Sequence, residues 1–300
     1  MTIAVSLVGS ALNAVSLLAP QTAGKAALAL WRRPMRRGTV RTIERETHDA
    51  AVAERISVNG KDVATYRWGD GAKPVLMVHG WQSRGSRYAG FVPVLQDLGF
   101  SPVTFDAPGH GDSGGTSMTI LEYEEVIRQL QARYGRFEAI VAHSFGVPCV
   151  FHALRNGVGA GRLVAISGVA EFEFLVDEFS RQLGLSPRMQ QELRRRIEED
   201  LFPRETEIWE RFSSAYQPAS LDIPILVIHD EGDDWVPLAH AHRITAAHGA
   251  RLVVTRDLGH RGILGQPQVI DAAVEFITSD VASPTLHGVD RPVRSAGAGR

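Results

Sequence analysis

In the stretch Phe137-Glu-Ala-Ile-Val-Ala-His-Ser-Phe-Gly146, an apolar run leads directly into a serine with small neighbours. The apolar run predicts a buried strand, and the residues from 145 to 156 predict a helix. Ser144 then falls in the sharp turn between them, where its hydroxyl would project from the sheet edge. The pattern is Ala-x-Ser-x-Gly and departs from Gly-x-Ser-x-Gly at Ala142. It predicts a nucleophilic serine in a strained turn.

The chain on either side of this turn alternates between strand and helix patterns. Residues 54–68 predict a hairpin whose turn is Asn59-Gly60. Further buried parallel strands are predicted at 74–79, 101–105, 162–167, 224–229 and 250–254, with helices at about 86–98, 119–134, 237–248 and 267–279. This alternation predicts the α/β fold class, with a mostly parallel twisted sheet and helices on both of its faces.

The remaining segments divide the chain into parts. Roughly fifty residues separate two core strands where a crossover needs far fewer, and helices are predicted at 172–183, 187–201 and 205–212, with Ser186 as an N-cap. We interpret this segment as an inserted cap. The predicted parts are an N-terminal helical arm at 1–51, the first part of the core at 52–170, the helical cap at 171–222, the second part of the core at 223–280 and a disordered tail at 281–300.

The start of the arm carries no charged side chain before Lys25. Its polar residues recur at steps of three to four, which places them along one face of a helix; they are Thr2, Ser6, Ser10, Asn13 and Ser16. Two interpretations stay open: a helix that lies on the domain or on a membrane surface, and a single membrane anchor. We therefore expect a cytoplasmic protein, with a peripheral membrane contact through residues 1–31 as an open alternative.

Composition excludes several classes of protein. Of the 300 residues, 44 % are hydrophobic and 22 % charged, which excludes a disordered chain, a collagen-like repeat and a polytopic membrane protein. The formal net charge of −2 offers no basic stripe for nucleic acid and suits a neutral or apolar substrate better than a polyanion. The one cysteine, Cys149, permits no internal disulfide. No zinc-type ligand cluster or phosphate loop is present in the sequence, so we expect neither metal nor cofactor.

A serine nucleophile needs oxyanion donors, a base and a carboxylate, and the sequence offers candidates for each. His79-Gly80-Trp81 follows a predicted strand, so the amides of Trp81 and Phe145 are the candidate oxyanion hole. His260 follows the strand that ends near Val254. The acidic turn at 230–237 offers three candidate carboxylates, Asp230, Asp233 and Asp234.

These motifs resemble the α/β-hydrolase superfamily, in its serine-nucleophile, capped esterase- or lipase-like branch. The resemblance covers about residues 52–280 and rests on five motifs in order: Leu76-Met-Val-His-Gly-Trp81, Phe105-Asp-Ala-Pro-Gly-His-Gly-Asp-Ser113, Ala142-His-Ser-Phe-Gly146, His229-Asp-Glu-Gly-Asp-Asp-Trp-Val-Pro237 and Gly259-His260. It implies a triad of Ser144, Asp233 and His260, because such proteins commonly carry the acid on the first residue of Asp-x-x-Val-Pro.

The implied activity is hydrolysis of a carboxylic ester or thioester of a small-molecule acyl substrate, through an acyl-enzyme. Two alternatives remain open at this point: a carbon–carbon bond hydrolase with the same triad, and a non-catalytic small-ligand sensor on the same fold.

Overall fold

Eight strands form one sheet in the computed structural model, which describes residues 3–279, with side chains from residue 7 onward. The predicted tail at 281–300 lies outside the described residues. The strands are β1 (Val52–Val58), β2 (Lys61–Arg67), β3 (Pro74–Val78), β4 (Ser101–Phe105), β5 (Ala139–His143), β6 (Leu163–Ile166), β7 (Ile225–Asp230) and β8 (Arg251–Thr255). Their spatial order is β1-β2-β4-β3-β5-β6-β7-β8. Only the β1–β2 and β2–β4 pairs of this sheet are antiparallel, which confirms the predicted mostly parallel sheet.

The central strands are apolar on both faces, and helices cover both. In β3, Leu76 and Val78 join one apolar cluster whereas Val75 and Met77 join the other, as the two-residue period of a strand requires. The covering helices of the core are α4 (Phe91–Asp97), α5 (Ile120–Tyr134), α6 (Gly146–Arg155), α10 (Leu238–His248), α11 (Gly259–Gly262) and α12 (Pro267–Thr278). The predicted fold class is therefore confirmed.

The structure corrects two of the predicted elements. β8 was expected as a buried strand, but it lies at the sheet edge, pairs only with β7 within the described chain and leaves Val254 43 % exposed. The helix expected at 205–212 is only α9 (Ile208–Arg211), because Glu207 has a φ of 51° and so cannot belong to a right-handed helix. Neither correction alters the strand order.

The helices of residues 171–222 and of the N-terminal arm pack against each other. The former are α7 (Glu173–Leu183), α8 (Pro187–Arg196), a π-helical turn (Ile197–Leu201) and α9; the latter are α1 (Ile3–Leu18), α2 (Pro20–Trp31) and α3 (Thr42–Asp49). The Ser186 hydroxyl caps α8 by accepting from the Met189 amide at 3.3 Å. α2 buries Ala23, Ala27 and Leu28 and lies along α8. Helices α1 and α2 thus pack on α7 and α8.

Helix α1 places Asn13, Ser16 and the aliphatic Leu12 toward the protein and leaves Ser10 and several aliphatic side chains exposed. The Asn13 amide donates to the carbonyl oxygen of Gly184 and accepts from the Ser186 amide, both at 2.8 Å, and Ser16 is buried. The aliphatic side chains at its surface include Leu7, Val15, Leu17 and Leu18, which are 65, 44, 69 and 93 % exposed. Among the described helices, none has the length and hydropathy needed to cross a bilayer.

Candidate active site

Ser144 lies in the turn between β5 and α6, as the sequence predicts, and its backbone has a φ of 56°. This conformation is uncommon for a residue with a side chain, and the surrounding contacts must enforce it. The Ser144 amide donates to the carbonyl oxygen of Ile166 on the neighbouring strand, at 3.0 Å. The turn directs Ser144 Oγ toward the imidazole of His260, whose Nε2 lies 2.9 Å away.

Two glycines allow the backbone to pass this close to the serine. A Cβ atom on Gly146 would lie 2.6 Å from the carbonyl oxygen of Val78, so any side chain there would push α6 away from β3. A Cβ atom on Gly80 would lie 2.7 Å from Ser144 Cβ and 3.2 Å from the Phe145 nitrogen. At Ala142, the departure from Gly-x-Ser-x-Gly, the methyl group is fully buried in the sheet.

His260 is held on its other side by Asp233. Nδ1 of His260 donates to Asp233 Oδ2 at 2.8 Å, and the Asp233 carboxylate also accepts from the amides of Trp235 and Val236. Burial alone would raise the pKa of Asp233, but the hydrogen bond and charge of His260, with the two amides, outweigh it and lower the pKa to about 2. The ionised carboxylate can only accept, so the proton sits on Nδ1 and Nε2 is free to accept from Ser144.

The structure separates the three candidate carboxylates of the acidic turn. Asp234 is exposed. The fully buried Asp230 accepts from Thr255 Oγ1 at 2.8 Å and from the amides of Leu258 and Gly259 at 3.1 and 3.2 Å. It therefore holds the loop before His260 rather than the imidazole. Of the three, Asp233 is the one brought to His260.

The two candidate oxyanion donors lie beside Ser144. Phe145 directly follows it at the start of α6, and Trp81 follows the Gly80 that passes Ser144. The ring of His79 accepts from the Ala107 amide at 2.9 Å, so its Nδ1–H donates to the Gly80 carbonyl oxygen at 2.7 Å. Because a trans peptide points its N–H opposite to its C=O, this bond turns the Trp81 amide away from the buried histidine. Burial lowers the pKa of His79 to about 4, which keeps the ring neutral.

Sequence reasoning gave His143 no specific role beyond shaping its loop. Its ring is buried next to that of His260, and its Nε2 donates to the His260 carbonyl oxygen at 2.8 Å. Burial, with the neighbouring His260, lowers the pKa of His143 to about 3, so the ring is neutral and serves as a donor. His143 thus fixes the backbone of the residue that contacts Ser144.

A largely apolar cavity, partly open to solvent, lies above Ser144 and His260. Its walls come from four parts of the chain: the arm, the core loops, the start of α5 and the cap. The aromatic side chains that line it are Trp31, Trp81, Phe145, Phe172, Phe174, Phe179, Phe202 and Trp235. Sequence reasoning missed the contribution of the arm, since no local pattern indicates that Trp31 lies against Leu175.

Comparisons with solved structures agree with the fold. Among solved structures, an esterase from Pyrococcus furiosus is 18 % identical, with a TM-score of 0.60, and the match covers 82 % of this chain and 96 % of that one. A monoacylglycerol lipase from Paleococcus ferrophilus is 20 % identical, with a TM-score of 0.55 and coverage of 72 and 98 %. A thioesterase domain from the curacin biosynthetic pathway is 14 % identical, with a TM-score of 0.54 and coverage of 77 and 100 %.

At these low identities, the solved structures are evidence for the fold alone. No curated protein matches the chain. The sequence profile of the Alpha/beta hydrolase family matches residues 75–273, which span more than half of the chain and include Ser144, Asp233 and His260. With the eight-stranded sheet and the serine in its strand-to-helix turn, this match establishes that the chain belongs to the alpha/beta hydrolase family.

Proposed function

We propose that the protein is a serine hydrolase that cleaves carboxylic esters or thioesters with an apolar acyl chain. The observation that carries this proposal is the continuous hydrogen-bonded chain from Ser144 Oγ through His260 to Asp233, at 2.9 and 2.8 Å, on the floor of an apolar cavity. Nucleophile, base and orienting carboxylate in this order are what acyl transfer through a serine needs.

The reaction follows from these contacts. As Ser144 Oγ bonds to the carbonyl carbon, its proton passes to Nε2 of His260, and the carbonyl electron pair moves onto oxygen, where the Trp81 and Phe145 amides donate to it. Collapse breaks the bond to the leaving oxygen or sulfur, which takes the proton from Nε2. Water then attacks the acyl-enzyme as His260 takes its proton. The bond from the acyl carbon to Ser144 Oγ breaks, Oγ takes the proton back from Nε2, and the acid leaves. Asp233 remains ionised and stabilises the imidazolium.

The lining of the cavity supports an apolar acyl group. Aromatic and aliphatic side chains dominate its surface, and Phe172 and Phe202 contact each other edge to face in the cap. Each methylene that such a wall removes from water contributes about 0.8 kcal/mol. An esterase, a lipase and a thioesterase are among the solved structures with this fold. The proposal therefore includes both oxygen and sulfur as the leaving atom of the substrate.

We expect kcat/KM for matched p-nitrophenyl esters to rise from acetate to octanoate, by up to about fourfold for each methylene that is buried. The same series of N-acetylcysteamine thioesters identifies the leaving atom. An ester series with no dependence on chain length would contradict the acyl site. Turnover of a β-diketone without turnover of any ester would instead favour the carbon–carbon bond hydrolase, and no turnover at all would favour the sensor.

We further propose that the outer face of α1 rests on an anionic lipid surface. Its exposed aliphatic side chains cover no other part of the described chain, and Leu18 is 93 % exposed. The first 43 residues contain no Asp or Glu but carry six cations: Lys25, Arg32, Arg33, Arg36, Arg37 and Arg41. An apolar helix face followed by cations matches the chemistry of a bilayer surface with anionic headgroups.

The variant Leu7→Ser/Leu17→Ser/Leu18→Ser is expected to reduce cosedimentation with vesicles of phosphatidylcholine and phosphatidylglycerol by about tenfold or more, because three exposed leucines no longer enter the bilayer. Point variants are preferable to deletion of the arm, since Trp31 lines the cavity. Val52→Ser/Leu98→Ser, at positions that are each 47 % exposed on the core, is the matched control. Equal sedimentation of all three proteins would exclude this surface as the contact.

A further inference from the structure

A second groove lies beside the active-site cavity, on the other side of Arg32. It is formed by α2 and the loop at 116–117, and Arg32 lines both the groove and the cavity. Lys25, Ala29 and Arg32 lie at i, i+4 and i+7, so they share one face of the helix. The groove thus meets, at Arg32, the space in which the proposed acyl substrate would lie.

The lining of this groove is cationic. Lys25, Arg32 and Arg33 line it together with the hydroxyl-bearing Thr116 and Ser117, and no carboxylate is among its lining residues. One guanidinium nitrogen of Arg32 donates to Ser117 Oγ at 3.0 Å, which fixes the side chain and leaves its other N–H groups available. Within the described chain, neither Lys25 nor Arg33 has an acidic partner at ion-pair distance.

The acidic residues nearby are already engaged elsewhere. Glu178, which lines the cavity with Arg32, accepts from Arg181 at 2.6 and 2.7 Å, and this contact lowers the pKa of Glu178. Glu122 is paired with Lys61, whose ammonium group also donates to the carbonyl oxygen of Ser117. The positive charge of the groove is therefore not neutralised by these neighbours.

We propose that this groove binds an anionic group of the substrate, a phosphate or a carboxylate, while the acyl chain occupies the cavity. The inference rests on the proposed function for the acyl part. Arginine forks, an ammonium group and hydroxyl donors around one space are the groups that recognise such oxyanions. The net charge of −2 suggests a neutral substrate only as an average over the whole chain, whereas the groove concentrates three cations, one of which, Arg32, also lines the cavity.

Binding of n-octyl phosphate, compared with n-octanol, tests the groove without any turnover. Calorimetry on the Ser144→Ala protein keeps the readout independent of hydrolysis, so a failure of the proposed function cannot be mistaken for a failure of the groove. Octyl phosphate is expected to bind at least about tenfold more tightly than octanol at low salt, with the difference shrinking in high salt. Equal affinity for the two, or inorganic phosphate binding as tightly as octyl phosphate, would overturn the proposal.

Substitutions distinguish binding in the groove from a general effect of the positive charge of the protein. Lys25→Ala/Arg33→Ala is expected to weaken octyl phosphate about tenfold and to leave octanol unchanged. Arg36→Ala/Arg45→Ala removes the same charge from exposed positions outside the groove and should change neither. Arg33 also follows the last turn of α2, where a cation stabilises the helix. Loss of that stabilisation would change the binding of octyl phosphate and of octanol equally. An equal loss of octyl phosphate binding in both double variants would refute the groove.

Ester pairs identify where the anionic group comes from. The first pair, 1-octanoylglycerol 3-phosphate and 1-octanoylglycerol, tests for a lipid headgroup as the source of the phosphate. The second pair, S-octanoyl phosphopantetheine and S-octanoyl N-acetylcysteamine, tests for a soluble carrier as the source. The phosphorylated member of one pair is expected to have the higher kcat/KM, by about tenfold, and Lys25→Ala/Arg33→Ala should abolish that ratio. If esters are hydrolysed and neither pair shows a ratio that depends on these residues, the proposal is wrong.

Discussion

Replacement of Ser144 by alanine is expected to lower kcat for the preferred ester by about 10⁴- to 10⁶-fold and to abolish labelling by a fluorophosphonate probe. The reason is geometric. Ser144 Oγ lies 2.9 Å from His260 Nε2, and without it the base has no proton to take and no covalent intermediate forms. Residual turnover would come from water activated by His260. The measurements are steady-state hydrolysis and labelling of the intact protein.

Ser167 offers a matched control for this prediction. It directly follows the neighbouring strand β6, is fully buried and also has a positive φ, of 46°. Its hydroxyl has no hydrogen-bond partner within the described residues, so Ser167→Ala removes a hydroxyl close to the site without breaking a contact. This variant should keep its labelling and most of its kcat. Labelling that persists in Ser144→Ala and disappears in Ser167→Ala would show that Ser144 is not the nucleophile.

The turn at Ser144 was predictable from the sequence because its determinants are local. An apolar strand, a serine with small neighbours and a following helix are contiguous, and the two-residue and helical periods identify them. The same holds for the hairpin, where Asn59 and Gly60 both adopt positive φ, at 50° and 74°. The fold class could be predicted from these elements and their order in the chain, because the rules for connecting parallel strands allow few topologies.

The choice among the acidic residues of the 230–237 turn needed three-dimensional information. Asp230 ends β7 and Asp233 lies three residues further on, so spacing alone does not distinguish them. Only the path of the loop before His260 does, because it brings the Leu258 and Gly259 amides to Asp230 and leaves Asp233 for the imidazole. The resemblance pointed to Asp233, whereas the residue patterns left both open.

The contribution of the arm to the cavity was not predictable from the sequence. Trp31 and Leu175 are far apart in the chain, and their contact depends on how α2 lies along α8. The orientation of α1 was not predictable for a related reason. Its polar stripe does not determine which side faces the protein, and Asn13 faces the helices of residues 171–222 because Gly184 and Ser186, beside the end of α7, present backbone groups that need partners.

A buried ion pair beneath the site also lacked any sequence signal. The Arg84 guanidinium, 3 % exposed, donates to Asp106 Oδ2 at 3.1 Å and to Asp112 Oδ2 at 2.6 Å. Asp106 is fully buried and also accepts from the amides of Gly85 and Asp112, at 2.8 and 2.9 Å. It therefore joins the loop at 106–113 to the segment after β3 that carries Trp81.

Asp106→Ala is expected to lower the free energy of unfolding by about 3–5 kcal/mol, because it leaves the buried Arg84 without its most buried counter-charge and two amides without an acceptor. Urea unfolding measures this change. Asp112→Ala is the matched control, since its carboxylate contacts the same guanidinium but is 51 % exposed, so water replaces it at a cost of about 1 kcal/mol or less. Similar losses of unfolding free energy for the two variants would mean that burial does not determine how much a carboxylate paired with Arg84 contributes to stability. A large loss of unfolding free energy for Asp106→Ala alone would show that the buried contact between Asp106 and Arg84 stabilises the loop at 106–113. The number of ion pairs that Arg84 makes would then not determine the stability of this loop.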